Sequence, residues 1–112
     1  MAIELGYVTL PVKDVDRAVQ FFGALFSWTF EHASARGAHV GNTNFPLGIS
    51  TGGPSDLHFL YFRVDDIAAT KAKVAELGGE VREEGESPSG LNATCTDDQG
   101  TIFSLWQPAP GY

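Results

Sequence analysis

The side chains with chemical potential in this chain are few. They are three histidines (His32, His39, His58), one cysteine (Cys95), an adjacent aspartate pair (Asp97, Asp98) and Tyr7, in the stretch GYVTLPVKDVDRA at 6–18. Histidine is a common metal ligand and titrates near neutrality. These three lack the spacing of a helical ligand pair such as His-Glu-x-x-His, so a satisfied surface or core role is the expectation for His32 and His39. A nucleophilic Cys95 would need a base or positive charge beside it to form thiolate. Its neighbours Thr94, Thr96, Asp97 and Asp98 supply negative charge instead, which raises a thiol pKa, so a buried structural cysteine is expected. Asp97 and Asp98 are consecutive, point apart and read as turn residues. Gly52-Gly53 and Gly78-Gly79 do not open a helix after a strand and so do not form a phosphate loop.

The elements that must position these groups follow from hydrophobic period. Residues 3–12 alternate as a strand, with Tyr7 on a face directed into the protein and Pro11 ending the regular part. Asp14 has the place of an N-cap, and Val15, Ala18, Val19, Phe22, Leu25 and Phe26 follow helical spacing. Trp28, Phe30 and His32 alternate as a second strand, and 38–42 and 46–51 as two short strands joined by a turn. After GGPSD at 52–56 the order recurs. Residues 57–64 form a strand and Asp66 a cap. Ile67, Lys71, Val74, Ala75 and Leu77 form a helix face ended by Gly78-Gly79, and strands follow at 80–84, 91–96 and 101–107.

This is an internal repeat. A shift of 52 brings Val12 onto Val64, Asp14 onto Asp66, Val15 onto Ile67, Leu25 onto Leu77, Glu31 onto Glu83 and Gly48 onto Gly100. These positions are strand exit, cap, helix core and turn. The expected fold is α+β, one domain over 1–112, with two β-α-β-β-β modules at about 3–51 and 57–108.

Composition narrows the function classes. With 112 residues and 43% hydrophobic content the chain can build a core. Its net charge of −7, with seven scattered basic residues, argues against nucleic acid or an anionic membrane as partner. No run reaches the ~18–20 apolar residues of a membrane span. The start, MAIELGYVTL, carries no basic leader segment, so a cytoplasmic location is the expectation.

Several of these segments resemble the vicinal oxygen chelate superfamily, which includes glyoxalase I, bleomycin resistance proteins and extradiol dioxygenases. They are the strand leading to Val-x-Asp (12–14), the helix with Phe21-Phe22 and Leu-Phe-Ser-Trp (25–28), and FRVDDI at 62–67. AELGGEV at 75–81 and DDQGTIFSLWQP at 97–108 complete the likeness. The resemblance implies a cupped mixed sheet with helices outside, and usually a homodimer. In metal-dependent members four side chains hold one divalent ion, one from the first and one from the last strand of each module. The resemblance puts those positions at Tyr7, Phe59 and Ser104, with Gly52 as the fourth by the 52-residue shift. Glycine and phenylalanine offer no ligand atom, and tyrosine ionises only near pH ~10. The expectation is therefore no metal cofactor, and a concave aromatic pocket lined by Tyr7, Thr9, Phe59, Tyr61, Ser104 and Trp106, the added residues sharing faces by the two-residue strand period.

The expected function is metal-independent binding of a small molecule, planar or cationic, with no catalysis required. Two alternatives stand. In one, a one-residue slip of register turns His58 inward as a ligand, and with His39 and a carboxylate it serves a metal-dependent lyase, isomerase or dioxygenase of the glyoxalase type. In the other, the aromatic residues fill a core of their own and the chain is a structural or interaction module.

Overall fold

The structure is a computed structural model that describes residues 5–53 and 60–112. The chain divides into two compact units after Gly53. In the first, β1 (Val8–Val12), α1 (Val15–Phe26), β2 (Phe30–Glu31), β3 (Gly37–Val40) and β4 (Leu47–Thr51) form a sheet of order β1-β4-β3-β2 with one helix. In the second, β5 (Tyr61–Arg63), α2 (Ile67–Glu76), β6 (Glu80–Ser87), β7 (Gly90–Thr96) and β8 (Ile102–Pro108) give the order β5-β8-β7-β6. In each unit the first strand runs parallel to the last and the other pairs are antiparallel. These are the two β-α-β-β-β modules that the repeat predicts.

Both helices start where the sequence says. The Asp14 and Asp66 side chains accept from the backbone N–H three residues on, at 3.1 and 3.0 Å, in extended conformation. Each satisfies a donor that the first helical turn leaves without a partner. Gln107 of β8 adds a second acceptor for α2, its Oε1 taking the Ile67 N–H at 2.8 Å. Gly78, at φ +90°, turns the chain out of α2, a conformation that costs glycine nothing. The exit of α1 is made differently. Ser27 itself takes the left-handed conformation at φ 58°, and Asn42 braces it by donating to Ser27 O and accepting from Thr29 N, each at 3.0 Å.

Each helix buries one side against its own sheet. Val15, Ala18, Phe21 and Phe22 of α1 cover Leu10, Val12, Ala38, Val40, Leu47 and Ile49. Ile67 and Val74 of α2 cover Ala93, Cys95, Phe103 and Leu105. Strand alternation therefore sends Tyr61, Thr94, Ser104 and Trp106 to the face away from α2, since register partners share a face.

Four sequence expectations need correction. Leu5–Tyr7 precede the first strand rather than belonging to it. Pro11 lies inside β1, opposite Ser50, because β1 is the edge of its sheet and the missing N–H faces outward. The second strand shrinks to Phe30–Glu31: His32 has φ +53°, and Trp28 packs its ring against Phe22 and Phe26 at 5.6 and 5.1 Å instead of pairing. Finally β6 runs on to Ser87, through a register irregularity between Val81 and Glu83. The strand expected at 57–64 is described only from residue 60.

Candidate functional site

On the face of the second sheet away from α2, β5 contributes Tyr61, β8 contributes Trp106 and β7 contributes Asn92. The register places Asn92 directly opposite Trp106. The β6–β7 hairpin adds Ser87 and Ser89. Together these five residues line a pocket of about 350 Å³. Trp106 is fixed by a hydrogen bond from its Nε1 to Ser89 O at 3.1 Å, and Ser87 and Ser89 hydroxyls bond each other at 2.9 Å. Asn92 leans over Gly85, where an added Cβ would come within 2.9 Å of its Oδ1. Gly90 closes the hairpin at φ +139°, with Gln107 O packed against it too closely for any side chain. The pocket thus has two aromatic surfaces and a short row of hydroxyl and amide groups.

Of the six residues expected at the site, Tyr61 and Trp106 meet in this pocket. Ser104 is fully buried beside Tyr61 in register, its hydroxyl 3.5 Å from that of Thr94. Phe59 and His58 lie outside the described residues. Tyr7 and Thr9 belong to the first unit. Thr9 stands opposite Gly48 of β4, and Gly48 opposite His39 of β3. The Tyr7 ring reaches across Gly48, so that a Cβ there would fall on its hydroxyl. That hydroxyl bonds His39 Nδ1 at 2.9 Å, with the rings stacked at 5.7 Å. Tyr7 is 47% exposed. Sequence reasoning missed Ser87, Ser89 and Asn92, because only the register of the hairpin brings them to Trp106.

The strand register also moves one metal position. Tyr61 pairs with Ser104, and its counterpart Thr9 pairs with Gly48. Gly48, not Gly52, therefore occupies in β4 the place of Ser104 in β8. The residues present do not fit the divalent ion of the metal-dependent relatives. Gly48 and Phe59 have no ligand atom, Tyr7 Oη is engaged by His39, and Ser104 is a neutral hydroxyl. Among the described residues, no group of three His, Cys, Asp or Glu side chains converges on one point.

The remaining candidates are structural. Burial pushes the Cys95 thiol up to about 11, against a smaller opposing pull from Lys71, so it holds no thiolate at neutral pH. Asp97 is buried at the β7–β8 turn, where its Oδ1 accepts from Gln99 and Thr101 N–H at 2.8 Å each. Burial raises its pKa, and those two backbone bonds partly offset the rise. It braces the turn, as the sequence suggests.

Two β-α-β-β-β units, each with a helix on one sheet face, define the vicinal oxygen chelate class of fold. The chain belongs to the Glyoxalase-like domain family, whose family model matches residues 7–106. It is 49% identical over 61 residues to the "Putative glyoxylase CFP32" of Mycobacterium tuberculosis, a match covering 53% of this chain and 23% of that relative. Its fold is similar to that of the fosfomycin resistance protein FosX from Listeria monocytogenes, solved with Mn(II) and sulfate. The TM-score is 0.78 at 18% identity, over 98% of this chain and 94% of the other. It is also similar to TnmS3, an antibiotic binding protein from Streptomyces sp. CB03234, with TM-score 0.75 at 24% identity over 97% and 99%. Among the described residues no helix is long and apolar enough to cross a membrane.

Proposed function

We propose that this protein binds a small planar organic molecule on the face of its second sheet away from α2, without a metal at the position the metal-dependent relatives use. The observation that carries this reading is the pocket of about 350 Å³ with Tyr61 and Trp106 as its aromatic walls. A volume of that order suits a ligand of one or two rings. Stacking on an indole and a phenol holds such a ring by area and quadrupole, while the Ser87, Ser89 and Asn92 groups orient its polar edge. The antibiotic-binding character of TnmS3 supports a sequestering role. A metal-dependent lyase or dioxygenase would need ligands that Gly48 and Phe59 do not carry.

The test is a screen of planar compounds by melting shift and by quenching of Trp106 fluorescence, run with and without chelator. A ligand at 100 times its Kd stabilises the fold by about 2.7 kcal/mol. Binding that survives chelator and is lost in Trp106→Ala supports the reading. Stoichiometric divalent metal, removable by chelator with loss of stability, would sink it, as would a chain that no compound shifts.

A further inference from the structure

The aromatic pocket has a cationic neighbour. Arg63 stands opposite Trp106 in the β5–β8 register and two residues from Tyr61, so all three share a face. Its guanidinium carbon lies over the Trp106 ring, 5.6 Å from the centroid. That is within the range of cation–π attraction, yet the ring offers no acceptor for the five guanidinium N–H donors. Lys71 pairs with Glu84 and Lys73 with Glu76, on and beside α2, and among the described residues no carboxylate pairs with Arg63. In a chain of net charge −7, where acidic groups outnumber basic ones two to one, an arginine without a carboxylate partner beside a pocket stands out.

We infer that Arg63 sets the ligand class of this pocket: a planar ring carrying a carboxylate or similar anionic group, the ring stacked on Trp106 and Tyr61 and the anion held by the Arg63 fork. The inference rests on the binding reading above. Geometry favours it, because the guanidinium is already poised over the indole, and a ring laid along Trp106 brings its substituent within reach of the fork. A guanidinium meets a planar anion with two parallel N–H bonds, stronger than neutral ones. The bulk acidity of the surface does not reverse this preference. Charges farther away than the Debye length of about 8 Å are largely screened, so the group at the pocket rim decides. The same charge disfavours the cationic ligands that net charge alone suggests.

Three probes of one ring system separate the contributions: 2-naphthoate, 2-naphthamide and 2-naphthylmethylammonium, titrated by Trp fluorescence into wild type, Arg63→Gln and Arg63→Lys. Arg63 is exposed, and matched melting temperatures of the variants check that they fold. In wild type the naphthoate binds about tenfold tighter than the amide, as for a hydrogen bond to a charged group, and the advantage shrinks as salt is added. Arg63→Gln brings the two within about twofold, and Arg63→Lys restores part of the gap because it keeps charge without the fork. Equal binding of the three probes, a preference for the ammonium, or a naphthoate advantage untouched by Arg63→Gln overturns the assignment of Arg63 while the pocket stands. No binding of any probe to wild type overturns both readings.

Discussion

The Tyr7 hydroxyl crosses an entire strand to reach His39 Nδ1, 2.9 Å away, by lying over Gly48. The contact exists because β4, between β1 and β3, has no side chain at that point. Gly48→Ala is expected to lift the ring off the strand, break the bond and crowd Ala38 O, at a cost of about 1–3 kcal/mol. In a Tyr7→Ala background the same substitution should cost clearly less. Urea unfolding of the four proteins measures this coupling, and additive effects would remove Tyr7 from the account.

Cys95 should be inert in the folded protein. With its thiol near 11, only about one molecule in a thousand carries thiolate at pH 8. Labelling by a thiol reagent at pH 8 is expected to be at least about 100-fold slower in native than in urea-unfolded protein. The ionisation also has a stability consequence. Between 9.0 and about 11 the native state keeps a proton that the unfolded state releases. Stability therefore falls as pH rises through that window, by up to about 1.4 kcal/mol per pH unit, and Cys95→Ala should flatten that loss.

Asp97 gives the acid-side counterpart. Its native pKa is raised above 3.8 by burial, so over the interval just above 3.8 the native state binds more protons than the unfolded state. Its contribution to stability is fully present below 3.8 and is lost as pH rises through the raised value. Asp97→Asn keeps an oxygen for Gln99 and Thr101 N–H and removes the ionisation. The stability difference between variant and wild type should move in favour of the variant as pH rises from 3.5 to 7, read by urea unfolding at each pH. A pH-independent difference would contradict the assignment. Asp97→Ala, which loses both backbone bonds, should destabilise at every pH, by about 1–3 kcal/mol.

At the start of α2, Asp66→Ala is expected to cost about 1 kcal/mol. Gln107→Ala should cost a similar amount, because Gln107 serves the Ile67 N–H of the same turn, two residues before the Ala69 N–H that Asp66 serves. Thermal unfolding of the two single variants and the double variant shows whether the two acceptors act independently.

The helices and caps were legible because their determinants are local. Asp14 and Asp66 lie beside the N–H groups they serve, and the apolar positions of α1 recur at helical spacing. Strand register was less so. Thr9 and Tyr61 are 52 residues apart, but their partners Gly48 and Ser104 are 56 apart, because the loops and hairpins between them differ in length. A single shift cannot follow both. The alternation of Trp28, Phe30 and His32 imitates a strand, yet Trp28 serves the aromatic cluster of α1. Tyr61 and Trp106 could be paired from strand period, whereas the bond between Tyr7 and His39 spans 32 residues and depends on a glycine in an intervening strand.

The edge strand β6 bears on how this protein behaves in company. An unpaired strand edge is a template on which another chain can add, and at eight residues β6 is the longest strand described. Yet it carries Glu80, Arg82, Glu83, Glu84 and Glu86, and a break in register bends its course. A second chain aligning there would set glutamate against glutamate and meet a bent edge. The guard against edge-to-edge fibre growth is thus ionic and weakens where it is neutralised, in acid or in high salt.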